Sequence, residues 1–180
     1  TYITNGYYDN KLTGNPLQHW TNIKSAWLKM QYATDPDTSI YGAFLPDTLV
    51  TVPQLYMDAT AITGADRVQY RDASTAASNI REFKNPVGGM FKGVVQSPLI
   101  YQRATAADGL NLSASDAASL WFTVASGKFG QYAQNWPMRV QQAVPGQTEM
   151  IDRGIALYVK ADERGEFWVT QPRASVYNQQ

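Results

Sequence analysis

The sequence predicts an α+β fold, with helices early and strands late. Three observations point there. An apolar stripe at three- and four-residue spacing runs through residues 17–30. After residue 46, short runs rich in Val, Ile, Thr, Phe and Trp recur between Pro, Gly and Asn clusters. The two patterns do not interleave as strand–helix–strand units.

Residues 1–14 contain Asn5-Gly6 and Thr13-Gly14 and have little periodicity, as in an arm or loop. A helix follows. Asn15 stands where an N-cap belongs, Pro16 at the first helical position, and Gln18 three after Asn15, as in a capping box. Leu17, Trp20, Ile23, Trp27 and Met30 make one apolar face of a helix running to Ala33. Asp35-Pro36-Asp37 stops it, because a proline disfavours helical geometry in the residue before it.

Pro46 to Pro53 reads as a short strand rich in β-branched residues. Pro53 then suits the first turn of a second helix, Gln54 to Ile62, ending near Gly64. Residues 63–82 are small, polar and charged, and read as a long surface loop. Asn85-Pro86-Val87-Gly88-Gly89 is a turn cluster. Phe91 to Val95 is a strand ending at Ser97-Pro98, and residues 103–118 read as a second loop. Leu120 to Ala125 is a strand turned by Ser126-Gly127-Lys128, and Met138 to Val144 a strand turned by Pro145-Gly146. Ile155, Leu157, Val159 and Ala161 alternate in a long strand, and Glu163-Arg164-Gly165-Glu166 reads as a tight turn back into Phe167 to Thr170. The chain closes on Pro172-Arg173-Ala174-Ser175-Val176-Tyr177, and no internal repeat is present.

Charge and composition narrow the function. Among 180 residues, 15 Lys and Arg balance 15 Asp and Glu. A protein that grips the phosphate backbone usually has a basic excess, so sequence-specific nucleic-acid binding is disfavoured. Neutrality weakens self-repulsion and is compatible with dense self-association. Without cysteine there are no disulfides, thiolate zinc sites or cysteine nucleophiles. No apolar run approaches the roughly 20 residues of a membrane-spanning helix. Thr1 follows neither an initiator Met nor a signal pattern, which suggests a processed, trimmed or partial chain. Tyr (11) and Trp (5) are plentiful enough to serve either an interface or an aromatic core.

Catalytic patterns fail on inspection. His19 is the sole histidine and has no partner legible in sequence. Asp35-x-Asp37-x-Ser39 resembles the start of a calcium loop, but Ile40 and Pro46 occupy the sixth and twelfth positions, where Gly and Glu belong. Ser126-Gly127-Lys128 echoes a phosphate loop whose first glycine is replaced by Phe122. Asp162, Glu163 and Glu166 read as solvated turn charges. Asn111-Leu112-Ser113 is a glycosylation sequon without a signal peptide. The reading is of a non-enzyme with no catalytic, cofactor-binding or metal-ligating residue.

The order of elements is more specific. Pro46, Asp47 and the strand to Pro53, following an amphipathic helix and a turn, resemble the strand-to-helix turn of tailed-phage major head subunits. Asn85-Pro86 with Phe91 to Ser97-Pro98 is similar to the strand that follows a long loop in that family, and Leu120-Trp121-Phe122 to the strand after it. Asp152-Arg153 through Val159, then Trp168 to Pro172-Arg173, resembles the closing hairpin, with Gln171 where an acidic residue is commoner. The resemblance spans roughly residues 15–177 and is nearest to Mu-like major head subunits.

That resemblance implies the Hong Kong phage-type capsid fold, shared with encapsulins. Residues 1–14 would be an arm remnant, 15–125 mainly axial domain, 126–166 a peripheral-domain sheet portion, and 167–180 a closing strand returning to the axial domain. The family's N-terminal arm, extended loop and spine helix would be largely missing. The function implied is a structural, self-assembling subunit of an icosahedral head enclosing double-stranded DNA. Its partners would be copies of itself in hexamers and pentamers, packaged DNA held non-specifically, and scaffold, portal or decoration proteins, with no membrane. It would reside in the virion capsid, assembled in the bacterial cytoplasm. The loop 63–89 would be the tip near the capsomer centre, with Arg67, Tyr70, Arg71 and Arg81 as assembly contacts. Trp20, Trp27, Trp121 and Trp168 are expected in the core, and Arg173 as an ion-pair partner. The alternatives are an encapsulin-like compartment shell and a tail, adaptor or receptor-binding module.

Overall fold

The structure is a computed structural model that describes residues 9–35, 38–71, 80–143 and 157–180. It is mixed α and β, and contacts divide it into two units, residues 1–129 with 171–180, and residues 130–170.

The first unit is built on a five-stranded sheet ordered β1-β9-β6-β2-β5. Its strands are β1 (Lys11–Thr13), β2 (Thr48–Thr51), β5 (Gly93–Gln96), β6 (Trp121–Val124) and β9 (Ser175–Gln179). β1 runs parallel to β9 and β2 parallel to β5, while β6 is antiparallel to both β2 and β9. The last strand of the chain is therefore interior to the sheet. The connection from β2 to the parallel β5 passes through helix α2 (Tyr56–Gly64). This corrects the expectation of no strand–helix–strand unit.

Alternation along the strands sends side chains to two faces. Leu49, Trp121 and Val176 meet Ile23, Ala26 and Met30 of helix α1 (Trp20–Gln31) and Ala59 of α2 in the larger core. On the other face Tyr177 and Phe122 pack edge-on, with ring centroids 5.4 Å apart. They join Ala104 of α3 (Pro98–Thr105) and Ala117 of α4 (Ala114–Ala118). The region 103–118, expected as loop, thus holds the end of α3 and all of α4, with a loop only over 106–113. Pro98 opens α3, and the Ser113 hydroxyl accepts from the Asp116 amide at 3.2 Å to cap α4. Both helices bury alanines, and so lack the large apolar stripe that marks a helix in sequence.

Helix α1 starts four residues later than the expected first position at Pro16, with His19 as N-cap. Asn15 is not a cap because its side chain is engaged across the fold. Its Nδ2 donates to Asn178 Oδ1 (2.8 Å) and its Oδ1 accepts from Asn22 Nδ2 (3.0 Å). Its carbonyl takes the Trp121 indole N–H at 2.9 Å. Burying Asn15 and Asn178 beside Trp121 is tolerable because their amides are satisfied by each other and by the half-buried Asn22.

Residues 67–84 contain a ribbon rather than an open loop, with β3 (Arg67–Arg71) antiparallel to β4 (Ile80–Lys84). Asn85 anchors its base. Its Nδ2 donates to the carbonyls of Ile62 (2.7 Å) and Ala65 (2.9 Å), and its Oδ1 accepts from the Val87 amide. Gly89, at φ +77°, closes the following turn in a conformation that side chains disfavour.

The described residues of the second unit form one long antiparallel ribbon, β7 (Gly130–Ala143) with β8 (Tyr158–Val169). Here the tight turn expected at Glu163–Glu166 is corrected: those residues lie mid-strand, with Arg164, Gly165 and Glu166 paired to Trp136, Gln134 and Ala133. Gly165 is not in a turn conformation. It leaves room for the Tyr132 ring, which a Cβ at 165 would strike. Gly130 makes the same space for Phe167. A glycine between charged residues can mark close approach as well as a turn.

Candidate assembly surface

Cross-strand partners share a face, so the register of the β7–β8 ribbon sorts its residues. One face carries Tyr132, Val140, Val159, Ala161, Phe167 and Val169. The other carries Arg139, Lys160, Asp162, Arg164 and Glu166 together with Trp136 and Trp168. The apolar strip is open to solvent: Val140 is 65 % exposed, Val159 61 % and Phe167 55 %. An isolated two-stranded ribbon is marginal in water, and one about 45 Å long with an apolar face invites a partner. On the polar face Arg164 stacks over Trp136, 5.9 Å from its centroid. On the apolar face Glu163 Oε1 accepts from the Tyr132 hydroxyl (3.0 Å) and from Gln134 Nε2 (2.8 Å). The bond to Glu163 raises the Tyr132 pKa above the ordinary phenol value.

Sequence reasoning placed no contact on this ribbon. The signal was present in the alternation of Val159 and Ala161 with Phe167 and Val169. Reading Glu163–Glu166 as a turn divided it. Trp168, expected in the core, is 45 % exposed here. Trp121 is fully buried as expected, and Trp20 and Trp27 are half-buried.

The sequence-proposed contacts fall on the β3–β4 ribbon. Arg67 and Arg81 are exposed, and Arg67 Nη1 lies 3.9 Å from Glu82 Oε2, a weak surface pair. Arg81 is opposite Tyr70, and Arg71 opposite Ile80. The side chains of Tyr70 and Arg71 lie outside the described residues. His19 ties α1 to this ribbon: its Nε2 donates to the Gln69 carbonyl (3.1 Å), leaving Nδ1 to accept from Thr21. Both ring nitrogens thus have structural partners.

The residues that carried the resemblance hold the first unit together. Pro46 is buried, and Pro53 and Pro98 each open a helical turn. The Ser97 amide donates to the Thr51 carbonyl at 3.0 Å. Asp47 is a hub between β2, Lys92 and helix α5 (Ser126–Phe129). It accepts from the Ser126 amide (2.8 Å) and hydroxyl (2.7 Å), from Lys92 Nζ (2.8 Å) and from the Thr48 hydroxyl (3.1 Å). Burial pushes its pKa up, but the bonds from Lys92, Ser126 and Thr48 prevail and hold the carboxyl well below the usual range. Pro172 begins a single 3₁₀ turn, and Arg173 Nη2 pairs with Asp35 Oδ2 at 3.2 Å. Pro86 is exposed. Asp152 and Arg153 lie outside the described residues, as do Pro36 and Asp37.

A groove of about 470 Å³ opens between Trp20, Lys24, Trp27, Phe83, Pro86 and Met90. Trp20 meets Phe83 edge-on at 5.5 Å within it. Among the described residues no group of three or more His, Asp or Glu side chains gathers to hold a metal ion. No described helix is long and apolar enough to cross a membrane. No protein-family model matches the chain, and no curated protein matches it.

Proposed function

We propose that the chain is a structural subunit of an icosahedral tailed-phage head, self-assembling into hexameric and pentameric capsomers around double-stranded DNA. The β7–β8 ribbon carries the reading, because it offers an exposed apolar strip on a long extended element. The ordered likeness of residues 15–177 to major head subunits supports it. Repeated contacts that close by symmetry need no covalent chemistry, and each can be weak because the shell is multivalent. On this proposal residues 15–125 and 167–180 serve as axial domain and 126–166 as peripheral sheet. The neutral charge suits DNA as a cargo touched without specificity. Scaffold, portal and decoration proteins would be further partners, and the virion capsid its location.

A tail, adaptor or receptor-binding module is favoured by a different observation, the groove lined by Trp20, Trp27 and Phe83, whose chemistry suits a peptide or glycan. Negative-stain electron microscopy, with the intact mass of the subunit, separates the two. Closed icosahedral particles are expected. A discrete small oligomer that binds a ligand through the groove would overturn the shell proposal.

A further inference from the structure

Among the described residues, β7 and β8 bond only to each other, so each has one open edge. The two edges differ. β7 contains Pro137, which has no N–H, and register shifts place its extra residues between Gln134 and Arg139. A bulged, proline-bearing edge is a poor template for another strand. β8 runs from Tyr158 to Val169 without proline. Along one face it reads Lys160, Asp162, Arg164, Glu166, alternating in sign.

We propose that β8 pairs antiparallel with β8 of a second copy of this chain, about a two-fold axis at Glu163, forming a continuous sheet β7-β8-β8-β7. The pairing deepens the self-assembly reading and rests on it only in taking the partner to be this same chain.

Charge favours this register, because an axis at Ala161 or Gly165 would form only one kind of opposite-charge pair against two at Glu163. A two-fold axis normal to the sheet keeps each face on its own side, so residues opposed across it share parity. With the axis at Glu163, Lys160 opposes Glu166 of the second copy and Asp162 opposes its Arg164, each pair occurring twice. An axis at Asp162 would set Lys160 against Arg164. An axis at Arg164 would set Asp162 against Glu166. In the favoured register the other face matches Leu157 with Val169, Val159 with Phe167 and Ala161 with Gly165, joining two apolar strips. The remaining charge on the polar face is Arg139, opposite Asp162 within each ribbon. Lys160 Nζ, 2.7 Å from Asp162 in the single chain, is 70 % exposed and free to turn to the new partner. One like pair remains, Glu163 against its own copy, each already accepting from Tyr132 and Gln134.

The chain has no cysteine, so single-cysteine crosslinking reads the register directly. Under mild oxidation Glu163→Cys is expected to give a covalent dimer. Ala161→Cys, on the same strand and face but off the axis, is expected to form no disulfide-linked dimer. By sedimentation velocity, Lys160→Glu alone and Glu166→Lys alone each weaken self-association roughly ten-fold or more, because each sets like charges in two symmetry-related contacts. An equimolar mixture of the two restores it as a heterodimer, which a folding defect could not do. Glu163→Gln tightens association by roughly two- to five-fold through loss of the like pair. Equal crosslinking at both cysteines, or a mixture no tighter than its components, would overturn the pairing. Closed particles built from Lys160→Glu alone would sink this contact and leave the shell proposal standing. Covalent Glu163→Cys dimers, with no closed particles from the unaltered chain, would keep the contact and sink the shell.

Discussion

Replacing Asp47 by alanine removes four hydrogen bonds at one stroke. Two come from Ser126, at 2.7 and 2.8 Å, and hold the first turn of α5 to the start of β2. Hydrogen bonds to a charged group contribute about 1.5–3 kcal/mol each when shielded. The Asp47 side chain is 20 % exposed, so water recovers part of the loss. The Lys92 partner is 80 % exposed and adds little. The Ser126 bonds thus set the scale, and Asp47→Ala should destabilise the fold by about 2–3 kcal/mol. Asp47→Asn, which keeps one acceptor oxygen, should cost about half as much. Urea unfolding at pH 7 measures both, with Lys92→Ala as a control expected to lose less than about 0.5 kcal/mol. The pH dependence has a definite sign. The folded carboxyl is depressed below the ordinary aspartate value of about 3.9, so the unfolded chain takes up this proton first. The stabilisation is complete above that value and fades as the pH falls through and below it. The deficit of Asp47→Ala should therefore be constant from pH 8 to 5 and shrink below about pH 4. A deficit at pH 7 under about 0.5 kcal/mol, or one that grows on acidification, would refute the hub role assigned to Asp47.

Three further outcomes follow from single contacts. Asn178→Leu leaves Asn15 Nδ2 without its 2.8 Å partner in the core, and thermal unfolding should show a loss of about 1–3 kcal/mol. Arg173→Ala removes an ion pair with Asp35 in which the guanidinium side chain is only 12 % exposed. A loss of about 1–2 kcal/mol in denaturant titration is expected, and Arg173→Lys should recover only part of it. Glu163→Gln should bring the raised Tyr132 pKa back toward the ordinary phenol value, followed by NMR of ring-labelled tyrosine through alkaline pH.

Local rules made several elements legible. Ile23 and Met30 repeat at helical spacing and are buried together, because a 3.6-residue period must present one face of α1 to the core. Thr48 to Thr51, bounded by Pro46 and Pro53, could be little other than a strand ending in a helical turn. Other elements were hidden for identifiable reasons. α3 and α4 bury only alanines and look like loop. β3 alternates only Val68 and Tyr70 with polar residues and β4 does not alternate, so pairing more than pattern makes them strands. The β7–β8 surface was missed because Gly165 between charges has the same composition as a turn.

The sequence by itself determined the α+β class, the first helix, and the strands at 48–51, 93–96 and 121–124. Each depends on neighbours within a few residues, through periodicity and through the fixed geometry of proline. Only the tertiary structure decided that β9, last in the chain, lies between β1 and β6, and that Asn15 serves Asn178 and Trp121 rather than capping α1. It also decided that Glu163–Glu166 extends along β7 rather than turning. Backbone partners more than a hundred residues apart leave no periodic trace, because the pairing belongs to the register of two strands and not to either one.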